Sequence, residues 1–222
     1  MTRPSVLLLH GYSCSAAHWG STLALLGDRW SLDAPDLPGH GSAAAPTDEP
    51  LDMAYCVRFV EGRARALGRP LLVGHSMGGM IALLAGRDPA VAAGIVLVDA
   101  YPHLGLPPPF NRSFWSGTPT DLRQEITQGM LQTRHRLPVS LWRSVGGLRV
   151  PVDEVAVPVR GIYGDRGDSD HDALRQALLA TDLGRLPGFE VRFIRGSGHF
   201  PMLECPGAFA EALDEALEGL VA

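Results

Sequence analysis

The chain contains no lysine: all 19 positive charges among its 222 residues are arginine. Mechanisms built on a lysine amine, whether Schiff base, P-loop phosphate ligand or general base, are therefore excluded. Cysteine is scarce. Cys14, Cys56 and Cys205 form an odd, widely spaced set with no CxxC pair, a poor disulfide framework and no zinc site, so they read as reduced thiols of a cytoplasmic protein. Long apolar runs are missing too. Nothing approaches the roughly 18 apolar residues of a membrane span, and the opening "MTRPSVLLLHG" holds too short an apolar run for a signal peptide. The net charge is −5 without a block of either sign, which leaves no basic face for nucleic acid. No internal repeat is visible, and no pattern asks for a metal or another cofactor.

What the chain does have is apolar substance, 45% of its residues, enough for a full core in one α/β domain. Short apolar runs recur, each followed by turn residues: "SVLLLH" (5–10), "WSLDAPD" (30–36), "PLLVGH" (70–75), "GIVLVDA" (94–100), "PVRGIYG" (158–164) and "FEVRFIRG" (189–196). Continuous rather than alternating hydrophobicity predicts strands buried on both faces, as in a parallel sheet. Helical patterns lie between them. Residues 51–67 place Met53, Val57, Val60, Ala64 and Leu67 on one side, 77–87 are apolar nearly all round, and 205–221 carry Pro206 at a first helical position. Such alternation predicts a doubly wound α/β sheet. The rhythm breaks over residues 103–151, where Pro-rich turns surround two helical patches at 120–135 and 138–148 and aromatics are concentrated. A structureless loop of that length is implausible in a compact domain. The segment reads as a small helical lid inserted into a core formed by 1–102 and 152–222.

The chemistry starts at "LLVGHSMGGM" (71–80). Ser76 stands in a G-x-S-x-G between a strand and an apolar helix. A serine hydroxyl is a weak nucleophile and must be exposed beside a base. A tight strand-to-helix turn lifts it clear of the sheet, and Gly74 and Gly78 remove the Cβ atoms that would clash. The helix that follows adds N–H groups and a favourable dipole beside a developing oxyanion.

"LLLHGYSCSAAHW", "DAPDLPGHGSA" (33–43), "GHSMGG" and "GSGHFPMLECP" (196–206) occur in this order. Together they resemble the oxyanion loop, the stretch after the next strand, the nucleophile elbow and the histidine loop of the α/β-hydrolase superfamily. The resemblance spans essentially the whole chain. It implies that fold and a Ser–acid–His triad in chain order. Because "SVLLLH" comes so early, it also implies a sheet of about six strands without the family's first two.

On this footing His199 is the expected base: it follows the last strand in a glycine-flanked loop and can titrate near neutrality. His10, His40 and His75 lie in the other motifs and suit structural roles. The acid belongs after "VRGIYG", usually in a Gly-x-x-Asp turn, but that slot holds Gly167. One extra residue in the turn makes Asp168 the favoured acid, with Asp165 the close alternative and Asp99 a third option. Asp170, just before a helix, reads as an N-cap. The oxyanion hole implied by the motifs is the pair of backbone N–H groups of Tyr12 and Met77. Phe114, Trp115, Met130 and Trp142 of the lid are expected to line an apolar substrate pocket.

The leading functional reading is a serine hydrolase that cleaves a carboxylic ester, thioester or lactone of a small, mostly apolar molecule through an acyl-enzyme. Alternatives are a lyase or cyclase of secondary metabolism on the same fold, or a small-molecule receptor with residual hydrolysis. Hydroxynitrile lyases of the superfamily resemble the chain around "HSMGG" but rely on a lysine, which is absent.

Overall fold

A computed structural model describes residues 3–105, 110 and 115–221. Each of the six apolar runs forms a strand: β1 (Ser5–Leu9), β2 (Ser31–Asp33), β3 (Leu71–His75), β4 (Gly94–Val98), β5 (Val159–Gly164) and β6 (Glu190–Ile194). They make one sheet in the order β2-β1-β3-β4-β5-β6, parallel throughout. β3 and β4 are buried at every residue, which is why their sequences run apolar without alternation. At the edge, β6 alternates, exposing Glu190 and Arg192.

Among the described residues eight α-helices accompany the sheet: α1 (Gly20–Leu26), α2 (Met53–Ala66), α3 (Met77–Ala85), α4 (Thr120–Arg134), α5 (Val139–Gly147), α6 (His171–Leu179), α7 (Pro201–Glu204) and α8 (Pro206–Val221). Successive strand residues point to opposite faces, so β1 feeds two cores. Leu7 and Leu9 join the side covered by α2, α3 and α6, while Val6 and Leu8 meet Trp19, Phe209, Leu213 and Leu217 on the side of α1 and α8. Asp52 caps α2 by accepting from the Tyr55 N–H at 2.9 Å. The buried stripe of α2 is Met53, Cys56, Val60 and Ala64. Val57 and Leu67 sit at its margin, only partly buried, because a 3.6-residue period turns Cys56 rather than Val57 toward α3. None of the described helices is long and apolar enough to cross a membrane.

Every strand of a parallel sheet ends at the same edge. The turns after β1, β3, β4, β5 and β6 therefore bring Tyr12, Ser76, Asp99, Arg166 and His199 to one side, where open α/β sheets carry their sites.

Candidate active site

Ser76 links β3 to α3 with φ 51° and ψ −117°, a region that side-chain-bearing residues occupy only under constraint. The constraint is visible. The Ser76 N–H donates to the Val98 carbonyl at 3.1 Å, and the strand and helix close on each other around glycines. A Cβ on Gly74 would stand 2.4 Å from the Gly78 carbonyl oxygen, and one on Gly78 would stand 2.3 Å from that of Leu9. Gly74→Ala is accordingly expected to cost about 3 kcal/mol or more, the upper range for overpacking against rigid backbone. At about 2–4 °C per kcal/mol for a chain of this size, that lowers Tm by more than about 5 °C in a calorimetric scan. An unchanged Tm would show that the elbow has room to relax.

His199 lies in the loop after β6, buried. The loop is held from three sides. Glu204 of α7 accepts from the Gly198 N–H at 2.5 Å and the Ser197 hydroxyl at 2.7 Å. The His75 ring donates through Nε2 to the His199 carbonyl at 2.9 Å, and Asp165 accepts from the Gly196 N–H at 2.8 Å. Burial drives the His75 pKa well down, with nearby His199 adding to the effect, so this ring is a neutral prop. His10 is a second prop: its Nε2 accepts from the Leu37 N–H at 2.9 Å, and burial, then His40, push its pKa down to about 3.

The carboxylate against the His199 ring is that of Asp99, at the end of β4, with Nδ1 and Oδ1 3.1 Å apart. This departs from the expectation of Asp168. The turn after β5 spends its carboxylates on itself and its neighbours. Asp168 Oδ1 accepts from the Asp170 N–H at 3.1 Å. Asp165 accepts from the N–H groups of Gly167 and Gly196 and faces the His171 ring at 3.2 Å. Asp170 caps α6 through the Ala173 N–H at 3.0 Å. Asp99 is fully buried. Burial alone would raise its pKa, but the Arg166 guanidinium and the His199 hydrogen bond outweigh it and hold the carboxyl well below the usual carboxylate range. Neither Arg166 nor Glu204 stood out in the sequence. Asp99 had a signal there, since it follows a fully apolar strand at the same sheet edge as Ser76.

A cavity of about 360 Å³ opens beside the elbow, lined by Ser76, Met77, His199, Tyr12 and residues of α4 and α5. Trp115, Met130 and Trp142 are on its wall, while Phe114 lies outside the described residues. Trp115 stacks on Phe200 at 5.7 Å, and Trp142 packs on the Tyr12 ring at 5.2 Å while remaining half exposed. Met77 opens α3, so its N–H belongs to the first turn, which has no intrahelical acceptor.

A model of the Alpha/beta hydrolase family matches residues 6–212. A curated relative, the pimeloyl-[acyl-carrier protein] methyl ester esterase of Neisseria meningitidis serogroup B / serotype 15 (strain H44/76), is 26% identical over 249 aligned positions, covering 96% of this chain and 93% of its own. The biotin biosynthesis bifunctional protein BioHC of Cellvibrio japonicus (strain Ueda107) is 32% identical over 124 residues, 51% of this chain, and the match spans only 24% of that longer protein. Among solved structures, that of MenH from S. aureus superposes with a TM-score of 0.82 at 16% identity, covering 100% of this chain and 96% of the other, a likeness of fold.

Proposed function

The chain belongs to the alpha/beta hydrolase family, and from that premise we propose that it hydrolyses a carboxylic ester, thioester or lactone of a small, mostly apolar molecule. Ser76 is the nucleophile, His199 the base, and Asp99 the acid in place of Asp168. The observation that carries this reading is the strained backbone of Ser76, φ 51° and ψ −117°, on the wall of a cavity that His199 also lines. A half-buried serine has no packing reason to hold such angles, but a nucleophile presented to a pocket does.

In the reaction, His199 takes the Ser76 hydroxyl proton as the oxygen attacks the substrate carbonyl. Asp99 fixes the ring tautomer by accepting from Nδ1–H and stabilises the imidazolium. The N–H groups of Met77 and Tyr12 receive the oxyanion. His199 then protonates the leaving group; in the second half it takes a proton from water as that water attacks the acyl carbonyl, and returns it to the Ser76 oxygen as the acyl–serine bond breaks and the carboxylic acid leaves. The mainly apolar lining suits an apolar acyl or alkyl group, and the similarity to a methyl ester esterase supports the ester class. Within the segment 103–151, α4 and α5 form walls of this pocket and act as its lid.

A fluorophosphonate probe tests the reading directly. The expected result is one adduct, on the peptide carrying Ser76, with parallel loss of p-nitrophenyl ester hydrolysis. Labelling elsewhere, or none, overturns it. The lid has its own test. Trp142→Ala removes a ring that packs on Tyr12 over the cavity and is expected to shift preference among acyl chain lengths by about tenfold, the scale of one or two methylenes in an apolar pocket. Hydrolysis of acetate esters changes little. A uniform change across chain lengths would mean that Trp142 does not read the acyl group.

A further inference from the structure

The turn after β5 carries a charged group to which the steps above assign no part. Arg166 is nearly buried, with 4% of its side chain exposed, and its backbone takes φ 54°. Its N–H donates to the Ser197 carbonyl in the histidine loop at 2.8 Å, which fixes where the side chain begins. The guanidinium fork then meets both oxygens of Asp99: Nη2 donates to Oδ1 at 2.6 Å and Nη1 to Oδ2 at 3.1 Å. Nη1 also donates to the Gly164 carbonyl at 3.0 Å, and the ring of Phe110 lies 5.5 Å from the guanidinium carbon. The Gly164 N–H adds a 3.2 Å bond to Asp99 Oδ2. Oδ1 is therefore shared, accepting from Arg166 on one side and from His199 Nδ1 on the other.

A purely structural role would need only that Arg166 neutralise a buried aspartate and tie β4 to the next turn. The shared oxygen says more. An aspartate carboxylate swings freely about its terminal torsion, and a planar fork that grips both oxygens removes that freedom. Arg166 itself is not among the described residues that line the cavity, so its route to the chemistry runs through Asp99. We propose that Arg166 is a positioning residue acting through Asp99: it sets the carboxylate at the angle His199 requires and, by occupying Oδ1, moderates the carboxylate's attraction for the imidazolium. The inference rests on the Ser76–His199–Asp99 reading.

Other titratable groups face this pair from the surrounding elements. His75 of β3 lies 4.7 Å from the His199 ring, ring to ring, and is neutral through burial. Burial raises the pKa of Tyr101 and of Tyr163 well above its usual value, so neither brings a charge near neutrality. Glu204 and Asp165 hold the histidine loop through its backbone. Among the described residues, Arg166 is the cation paired with Asp99.

The test compares wild type, Arg166→Gln and Arg166→Lys by the rate of fluorophosphonate labelling at Ser76 and by kcat and KM on a p-nitrophenyl ester, across the pH range of histidine titration. Loss of the fork is expected to lower kcat and labelling about 10- to 100-fold, the scale for partners that orient a functional side chain, with KM nearly unchanged. In Arg166→Gln the acid limb of kcat/KM moves to higher pH, because an unshared carboxylate holds the imidazolium more tightly. Lysine restores the charge but not the fork, so its acid limb returns toward wild type while kcat stays low. In an Asp99→Asn background, Arg166→Gln adds no further loss of kcat and raises the Tm of that variant by removing an unpaired buried charge. A folded Arg166→Gln protein with wild-type kcat and acid limb overturns the inference. Should that variant not fold, Arg166→Lys with wild-type kcat, or additive losses in the Asp99→Asn background, overturns it equally. Failure of the wild type to label at Ser76 would instead strike the underlying reading of the site.

Discussion

Ser76→Ala is expected to lose ester hydrolysis by about 10⁴-fold or more, the scale seen when a triad nucleophile is removed. The protein should remain folded, for a reason specific to the site. Alanine carries the same Cβ as serine, so the strain at φ 51° and ψ −117° is unchanged, and the deleted hydroxyl belongs to a half-buried residue on a cavity wall. A Tm within a few degrees of wild type, measured alongside the activity, separates lost chemistry from lost structure. A variant that keeps more than about a tenth of the wild-type rate would exclude Ser76 as nucleophile, because residual catalysis without it is far smaller.

The second large effect distinguishes the candidate acids. Asp99→Asn is expected to lower turnover by about 10⁴-fold, as for other triad acids replaced by their amides. It also leaves Arg166, whose fork grips both carboxylate oxygens, buried against an amide that can accept on one side only. Breaking a buried pair in this way costs about 3–5 kcal/mol, so rates must be read well below the lowered Tm. Asp165→Asn loses part of an acceptor shared by Gly167, Gly196 and His171. It should cost about 1–2 kcal/mol of stability and little rate. Asp168→Asn is expected to stay within about tenfold of wild-type kcat, since a turn residue affects stability more than chemistry. A crippled Asp168→Asn beside a normal Asp99→Asn would return the acid to the turn after β5. The two experiments are independent, because the first removes the attacking atom and the second only the partner of the base.

The sequence by itself determined the sheet. Six apolar runs became six parallel strands because a strand covered on both faces must be apolar throughout, a constraint written locally in each run. The helices at 53–66, 77–85 and 206–221 were legible as local patterns too: a 3.6-residue apolar stripe in the first, an apolar run on every side in the second, and Pro206 at the start of the third. α1 was not: Gly20–Leu26 is only seven residues with a glycine at its start, and it is held by packing against α8 and α7. The elbow was legible because the glycines that permit it lie within four residues of one another, and the histidine loop because Gly196 and Gly198 lead into His199 after the last strand. Tertiary structure alone decided which carboxylate faces His199. Asp99 is 100 residues away from it in the chain, and the choice among three aspartates turned on where the Arg166 side chain points and on Asp165 being drawn to the Gly196 N–H. Such partnerships depend on angles and on distances of a few tenths of an ångström, set by how β4, β5 and the histidine loop converge. Strand composition carries no record of that convergence. It exists only once the sheet has formed and its turns meet at one edge.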